Sequence, residues 1–239
     1  EGRGFTIRGL KTPLFGEDVV ATISNLNVEG DLVETTDGKV GLIARSLVAN
    51  GEKVGTIFNC SAKGSIEYKN SKLALSNDKK LINIGGVVGG VYGGKVSLAE
   101  SDVNINIATV AGADGKSKEF YPSIGGVVGY VCANGDKLPL VAENTSNGAI
   151  AWNDDSESTK AFPYIGGVAG YLTEGANILT GTESAYNYNN GTITDSSVST
   201  YVGIAGCVGF VNGEGSELSY LKNLSDGDVR MTNNDRIRL

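Results

Sequence analysis

Histidine is absent from this sequence of 239 residues, and the chain contains only four prolines, one methionine and one tryptophan. Without histidine, the Ser-His-Asp and Cys-His triads and the commonest general base are excluded. The three cysteines, Cys60, Cys132 and Cys207, lie far apart and show no Cys-x-x-Cys spacing. We therefore predict neither a metal site nor a disulfide framework, and expect three small buried side chains.

Positive charge is scarce as well. The sequence has 20 Lys and Arg against 27 Asp and Glu, which gives a net charge of −7. Because the basic residues are scattered, a nucleic acid is not expected as a partner. No apolar run approaches the roughly 20 residues that a spanning helix requires, so we predict no membrane span in this segment. Glycine-rich phrases occur without a following helix or acidic partner, so no dinucleotide or other cofactor is predicted.

Glycine is abundant, with 35 residues, and it recurs in one phrase. The phrase returns with a period of about 40 residues, which is the signature of a repeat architecture. Its five copies are VGLIARSL from residue 40, IGGVVGGV from 84, IGGVVGYV from 124, IGGVAGYL from 165 and IAGCVGFV from 204.

Two further elements repeat with the glycine phrase. An aromatic or aliphatic residue lies three positions before the first Ile of four copies, at Leu81, Tyr121, Phe162 and Tyr201. Between copies, an asparagine is followed four or five positions later by glycine and then by an aliphatic residue, which is typical of a turn leading into a strand. The predicted corner asparagines are Asn25, Asn59, Asn144, Asn187 and Asn223.

Each repeat is predicted to contain three short strands and their turns, because no segment has a 3.6-residue apolar period long enough for a helix. Stacking such repeats predicts an all-β fold, a parallel β-helix or β-solenoid of about five to six coils. A propeller is the competing architecture, but it needs four strands per blade. We predict one domain over residues 1–239, with a capping coil at 1–39, repeats at 40–229 and a C-terminal edge at 230–239.

The seventh position of the glycine phrase is aromatic in three successive copies. It reads Gly90, Tyr130, Tyr171 and Phe210. If this face points outward, the rings form a strip that can hold sugar rings or a partner protein, because tyrosine combines apolar area with a polar tip. If the face points inward, the rings belong to the core. Trp152, at the end of a predicted strand, is a second candidate contact.

The phrases IGGVVGYV, IGGVAGYL and IAGCVGFV, each followed by an Asn-centred turn, resemble the GLUG-motif repeats of bacterial surface proteins. The opening segment TIRGLKTPLFGEDVVATISNLNVEG is similar to the first coil of such proteins exported by gut Bacteroidetes. The resemblance implies a right-handed parallel β-helix, an extracellular or cell-surface location and a non-catalytic role in adhesion or as a stalk. The implied partner is a host or bacterial surface glycan or protein.

Two alternatives stay open from the residues. Some β-helix proteins are polysaccharide-degrading lyases or hydrolases that work with carboxylates, and here the acids concentrate at Asp154, Asp155 and Glu157. Adjacent acids on a Ser-rich stretch are more typical of an exposed loop, since glycoside cleavage demands a fixed separation between two carboxylates. No catalytic residue is predicted. The other alternative is a passive stalk with no ligand.

Overall fold

The computed structural model describes residues 1–35, 38–69, 80–108, 119–153, 160–173, 175, 177–178, 187–196, 203–212 and 223–231. Within these ranges the regular structure consists of β-strands and includes no helix. The all-β class predicted from the sequence is therefore confirmed.

The strands are short and are numbered in chain order. The first fourteen are β1 Thr6–Leu10, β2 Thr22–Ser24, β3 Asn27–Glu34, β4 Lys39–Val40, β5 Ala44–Asn50, β6 Lys53–Val54, β7 Thr56–Phe58, β8 Ser61–Tyr68, β9 Lys80–Gly85, β10 Val88–Tyr92, β11 Lys95–Ser97, β12 Glu100–Ala108, β13 Glu119–Gly125 and β14 Val128–Cys132. The others are β15 Leu140–Ala142, β16 Thr145–Ser146, β17 Ile150–Asn153, β18 Lys160–Ala161, β19 Tyr164–Gly166, β20 Ala169–Thr173, β21 Asn177–Ile178, β22 Asn187–Asn189, β23 Ile193–Asp195, β24 Gly203–Ala205, β25 Val208–Asn212, β26 Asn223–Ser225 and β27 Val229–Met231.

These strands form four sheets. Sheet A has the order β1-β3-β8-β12-β16-β22-β26, with β17, β23 and β27 continuing the same sheet beside it. Sheet B runs β25-β20-β14-β10-β5-β6, sheet C runs β2-β7-β11-β15-β21, and sheet D runs β24-β19-β13-β9-β4 with β18 attached to β13. Among the strand pairs of the described residues, only the hairpin β5–β6 is antiparallel. The sheets are otherwise parallel.

The chain visits the sheets in a fixed cycle. Strand β9 belongs to sheet D, β10 to B, β11 to C and β12 to A, after which β13 returns to D beside β9. This cycle is consistent with a β-solenoid, but it contains four strands per repeat where the sequence predicted three. The difference arises because the Asn-centred phrase contributes two strands, one to sheet C and one to sheet A, on either side of its corner, as β7 and β8 do around Asn59.

The core consists of aliphatic columns, in which each side chain lies next to its equivalent in the neighbouring repeat. Parallel strands in register place like residues together, so these columns bury a continuous apolar surface. The column of sheet D is Val40, Ile84, Ile124, Ile165 and Ile204, that of sheet B is Leu47, Val91, Val131, Leu172 and Val211, and that of sheet A is Leu32, Ile66, Ile105, Ile150 and Ile193. The sheet A column continues to Val229, which is exposed.

Glycines let the backbones of sheets D and B approach each other closely. A methyl group at Gly129 of β14 would lie 2.5 Å from the backbone nitrogen of Ile84 and 2.6 Å from the carbonyl oxygen of Gly89. Neither backbone atom moves without distorting its strand, so no larger residue fits there. The recurring glycines of the repeated phrase are thus explained by close approach between two sheets.

A loop between sheets B and C contacts a repeat two levels away. In the repeat of β10 and β11 this connection is short, and Gly93 takes a left-handed backbone with φ of 69°. The longer connection of the next repeat reaches across it, where the Asn134 side chain donates to the carbonyl of Ala49 at 2.8 Å. Lys137 approaches Glu52 at 3.7 Å in the same place. The loop therefore fastens three successive repeats together.

We predict that Gly129→Ala lowers the free energy of unfolding by about 3 kcal/mol, because the added methyl group overpacks two backbones. Urea unfolding followed by circular dichroism measures the change. Gly16→Ala is the matched control: among the described residues nothing lies within 4 Å of a methyl group there. Equal stability of Gly129→Ala and the wild type would contradict the proposed close approach of sheets D and B.

Candidate functional site

Five aromatic rings form a row along sheets D and B, here called the aromatic row: Tyr92, Tyr130, Tyr164, Tyr171 and Phe210. Ring centroids are 5.6 Å apart for Tyr92 and Tyr130, 5.6 Å for Tyr130 and Tyr171, and 5.5 Å for Tyr171 and Phe210. Tyr164 lies 5.0 Å from Tyr171 and 4.7 Å from Phe210. Each ring thus contacts its neighbours within the range of favourable aromatic pairs.

The aromatic row lies outside the aliphatic core. The register pairs Gly90 with Tyr130, Tyr130 with Tyr171 and Tyr171 with Phe210, as the aligned sequence phrases predict. The next residue of each strand, such as Val131, points to the opposite face and is fully buried. The tyrosines are half-buried and Phe210 is 39% exposed, so the geometry favours the outward strip over the inward stack.

Tyr92 enters the aromatic row from a different strand position. The aligned position in its repeat is Gly90, and a methyl group there would lie 2.7 Å from Cε2 of the Tyr92 ring. The ring of Tyr92 therefore folds back over Gly90 and occupies the place that Tyr130 fills in the next repeat. Tyr92 and Tyr164 were not among the candidates predicted from the sequence. For Tyr92 a signal existed: Gly90 occupies the position that is aromatic in the following copies and leaves room for a neighbouring ring.

The aromatic row is edged by polar groups, with charged groups at its Tyr92 end, where Glu17 and Asp18 act on Tyr92. Asn83 donates from Nδ2 to the Tyr92 hydroxyl at 3.3 Å, and Asn212 donates to the Tyr171 hydroxyl at 3.1 Å. The ammonium group of Lys39 lies 4.8 Å from the centre of the Tyr92 ring, at one end of the row. A row of rings edged by amides and hydroxyls presents apolar area together with hydrogen-bonding groups.

A second aromatic contact lies farther along sheet D. Tyr121 and Phe162 stack with centroids 5.0 Å apart and an interplanar angle of 14°. Leu81 pairs with Tyr121 in the same column, as the repeated element before the glycine phrase predicts. Tyr201, the fourth member of that predicted column, lies outside the described residues.

The structure corrects the placement of Trp152. Its side chain is only 2% exposed and belongs to the core, so it is not an accessible contact for a ligand. Trp152 and Ile150 lie two positions apart in β17 and therefore share the inward face of sheet A. The sequence prediction assumed that a residue near the end of a strand is exposed, whereas the alternation of the strand continues through Trp152.

The five predicted corner asparagines occupy two different positions. Asn25 and Asn59 have left-handed backbones with φ of 54° and 50°, and the Asn59 amide donates to Asn25 Oδ1 at 2.5 Å. Leu98 and Glu143 hold the equivalent left-handed position in the next two repeats. Asn25, Asn59, Leu98 and Glu143 thus share one left-handed corner position in four successive repeats.

Asn144 and Asn187 belong instead to a buried column one residue farther along. Both are fully buried, and Asn187 Oδ1 accepts hydrogen bonds from the backbone and side-chain nitrogens of Asn144, each at 3.1 Å. Asn144 in turn accepts from the backbone of Ala99 at 2.9 Å. Asn223 pairs with Asn187 in the backbone register. Asn144 and Asn187 therefore form an internal amide ladder, and their placement at the corner was wrong.

Burial shifts the acidity of one tyrosine of the aromatic row and of two cysteines. Loss of solvation raises the pKa of Tyr92 to about 12 and that of the Cys207 thiol to about 11. Burial also raises the pKa of Cys60. Cys60 and Cys132 are buried and Cys207 is half-buried, in line with small packed side chains. These groups are therefore neutral near pH 7.

The acids Asp154, Asp155 and Glu157 lie outside the described residues. In the described part of the chain, no three Cys, Asp or Glu side chains come close enough together to hold a metal ion. Over the same residues there is no helix of the length and apolarity needed to span a membrane.

No protein-family model, curated protein or solved structure matches this chain.

We predict that Asn187→Ala lowers the free energy of unfolding by about 3 kcal/mol, because it removes the acceptor of the buried Asn144 backbone nitrogen and a donor to the Val141 carbonyl. Chemical denaturation measures the loss. The matched control is Asn59→Gly, which keeps the left-handed corner and is expected to cost less than about 1 kcal/mol. Similar losses in the two variants would contradict the distinction between ladder and corner.

We predict that Tyr92 contributes to alkaline unfolding. Above pH 10 an unfolded tyrosine loses its proton, whereas folded Tyr92 keeps it up to about 12, so stability falls as the pH rises between these values. Below pH 10 Tyr92 is neutral in both states and contributes no slope. Tyr92→Phe should therefore flatten the profile of unfolding free energy above pH 10. An unchanged slope would show that Tyr92 titrates normally in the folded protein.

Proposed function

We propose that the four sheets are the walls of a right-handed parallel β-solenoid of about five to six coils, a single domain over residues 1–239. The support is the fixed cycle of sheets D, B, C and A, in which each strand pairs in parallel with its equivalent one repeat away. Parallel strands of one sheet are joined by right-handed crossovers in nearly all proteins, which favours the right hand. The charged end of the predicted C-terminal edge, residues 232–239, lies outside the described residues.

We propose further that the molecule is a non-catalytic ligand-binding module, displayed at the cell surface by an exported bacterial protein of the GLUG-repeat type. The family and location rest on the resemblance of the repeated phrases. The ligand-binding role rests on the aromatic row, because an outward line of contacting rings adds no area to the aliphatic core. Large aromatic side chains gathered on one accessible strip are typical of binding surfaces.

The ligand class that fits the aromatic row best is a neutral glycan. Sugar rings have an apolar face that packs on an aromatic ring and a rim of hydroxyl groups that exchange hydrogen bonds. The row supplies both kinds of partner, with Asn83 and Asn212 amides beside the tyrosine hydroxyls. The register positions that carry the rings are uncharged: Asn83, Ser123, Tyr164 and Gly203 in sheet D, and Gly90, Tyr130, Tyr171 and Phe210 in sheet B. Lys39, aligned with Asn83, places a charge at one end of the row only.

Two substitutions at the accessible end of the row test this function. Phe210→Ala and Tyr171→Ala should each weaken glycan binding about tenfold while the far-ultraviolet circular dichroism stays unchanged, because each removes one stacking surface. Soluble mannan, xylan and mixed-linkage β-glucan serve as probes in affinity gel electrophoresis.

Phe58→Ala is the matched control, since Phe58 is 42% exposed in sheet C and Phe210 is 39% exposed in sheet B. Unchanged binding in Phe58→Ala together with weaker binding in Phe210→Ala supports the aromatic row as the site. If the wild type binds none of the glycans, the glycan proposal fails and a passive stalk or a protein-binding surface takes its place. Loss of secondary structure in Tyr171→Ala would assign that ring to the core.

A further inference from the structure

Two polar side chains are buried beside the aromatic row. Asn83 is 2% exposed and Ser123 is fully buried. Among the described residues, Oδ1 of Asn83 and Oγ of Ser123 have no hydrogen-bond partner. The Asn83 amide makes one hydrogen bond, with the Tyr92 hydroxyl. If its oxygen and nitrogen are exchanged, the nitrogen instead of the oxygen is left without a partner. Two hydrogen-bonding groups are therefore unused there.

These two groups face the aromatic row and not the core. Asn83, Ser123 and Tyr164 are aligned in one column of sheet D. Asn83 contacts the Tyr92 hydroxyl, and Tyr164 contacts the rings of Tyr171 and Phe210. Ile84 and Ile124, the next residues along these strands, point to the opposite face and are fully buried in the core. Ser123 consequently lies on the side of the wall that carries the rings.

The ring that covers Asn83 comes from a different register position than the other rings of sheet B. Tyr92 lies over Gly90, in a space that no side chain of its own register position fills. It is held by the neighbouring ring of Tyr130, by the Lys39 ammonium at 4.8 Å and by one hydrogen bond of 3.3 Å. Rotation about χ1 and χ2 moves a tyrosine ring without a change of backbone. The place that the Tyr92 ring occupies, beside Asn83 and Tyr130, has the size of one six-membered ring.

We propose that Asn83 and Ser123 form a hydrogen-bonding subsite for the hydroxyl groups of one neutral sugar ring. The sugar takes the place above Gly90 by displacing the ring of Tyr92 and packs its apolar face on Tyr130. The amide oxygen of Asn83 accepts a hydrogen bond from one sugar hydroxyl, and the Ser123 hydroxyl exchanges one with another. This subsite rests on the glycan-binding function proposed above and extends it to the other end of the aromatic row.

The unused polar atoms give the inference its physical support. A buried polar atom without a partner costs about 1–3 kcal/mol of stability, and a bound sugar hydroxyl removes that cost at Asn83 and Ser123. The same defect occurs at Ser146, which is fully buried inside the molecule on sheet A and packs against Gly126. A ligand on the aromatic row does not reach Ser146. The two serines thus share chemistry and burial and differ in the face they occupy.

The decisive comparison is Ser123→Ala against Ser146→Ala, with binding of mannan, xylan and mixed-linkage β-glucan measured by affinity gel electrophoresis and thermal unfolding measured in parallel. Both variants remove an unpartnered hydroxyl, so neither is expected to be less stable than the wild type. Ser123→Ala should bind the glycan roughly 3- to 10-fold more weakly, which is the effect of one neutral hydrogen bond. Ser146→Ala should bind as the wild type does.

Tyr92→Ala tests the displacement of the ring. Because the sugar no longer competes with the tyrosine, binding to Tyr92→Ala should be tighter than to the wild type. Weaker binding would overturn the displacement, since it would make Tyr92 part of the binding surface.

The remaining outcomes separate the two proposals. If Phe210→Ala weakens glycan binding but Ser123→Ala does not, the subsite is wrong and the glycan-binding row stands. Equal weakening of glycan binding by Ser123→Ala and Ser146→Ala would also overturn the subsite, because the loss of affinity would then come from a general change in the structure and not from Ser123. If the wild type binds none of the three polysaccharides, both proposals fall.

Discussion

Parallel pairing in register is the constraint on which the rest of this structure depends. Each strand donates and accepts hydrogen bonds with its equivalent about 4.8 Å away in the next repeat, so every position of one repeat lies beside the same position of the next. When a residue type recurs at the same position of successive repeats, its side chains therefore form a column. The aliphatic core of Ile84, Ile124 and Ile165 and the aromatic row are two results of that one rule, on opposite faces of the same walls.

The close approach of sheets D and B connects the core to the surface. Glycines such as Gly129 remove the side chains that would hold the two sheets apart, and the backbones come close together. The outward side chains of both sheets then meet, which is why Tyr164 of sheet D contacts Tyr171 and Phe210 of sheet B. The same glycines that allow dense packing therefore gather rings from two sheets into one row.

The sequence predicted what depends on the repeat and missed what depends on single residues. The all-β class, the parallel stacking and the alignment of Tyr130, Tyr171 and Phe210 follow from the period alone. The asparagine error came from accepting four or five residues between asparagine and glycine as equivalent. In a strand, one residue reverses the face, so Asn25 lies at a corner and Asn144 lies inside. The burial of Trp152 at the end of a strand and the position of the Tyr92 ring over Gly90 are not part of the repeat, so the repeat pattern did not predict them.

The loop from Asn134 to Lys137 changes how the stack responds to disruption. In a linear array each unit normally touches only its two neighbours, so its stability is a sum of intrinsic and nearest-neighbour terms and it can open from either end one unit at a time. The bond from Asn134 to Ala49 spans an intervening unit and adds a coupling between second neighbours. Fraying that reaches this point must also break the contact between the first and the third of these repeats, so we expect the three to open more cooperatively than the repeats that follow.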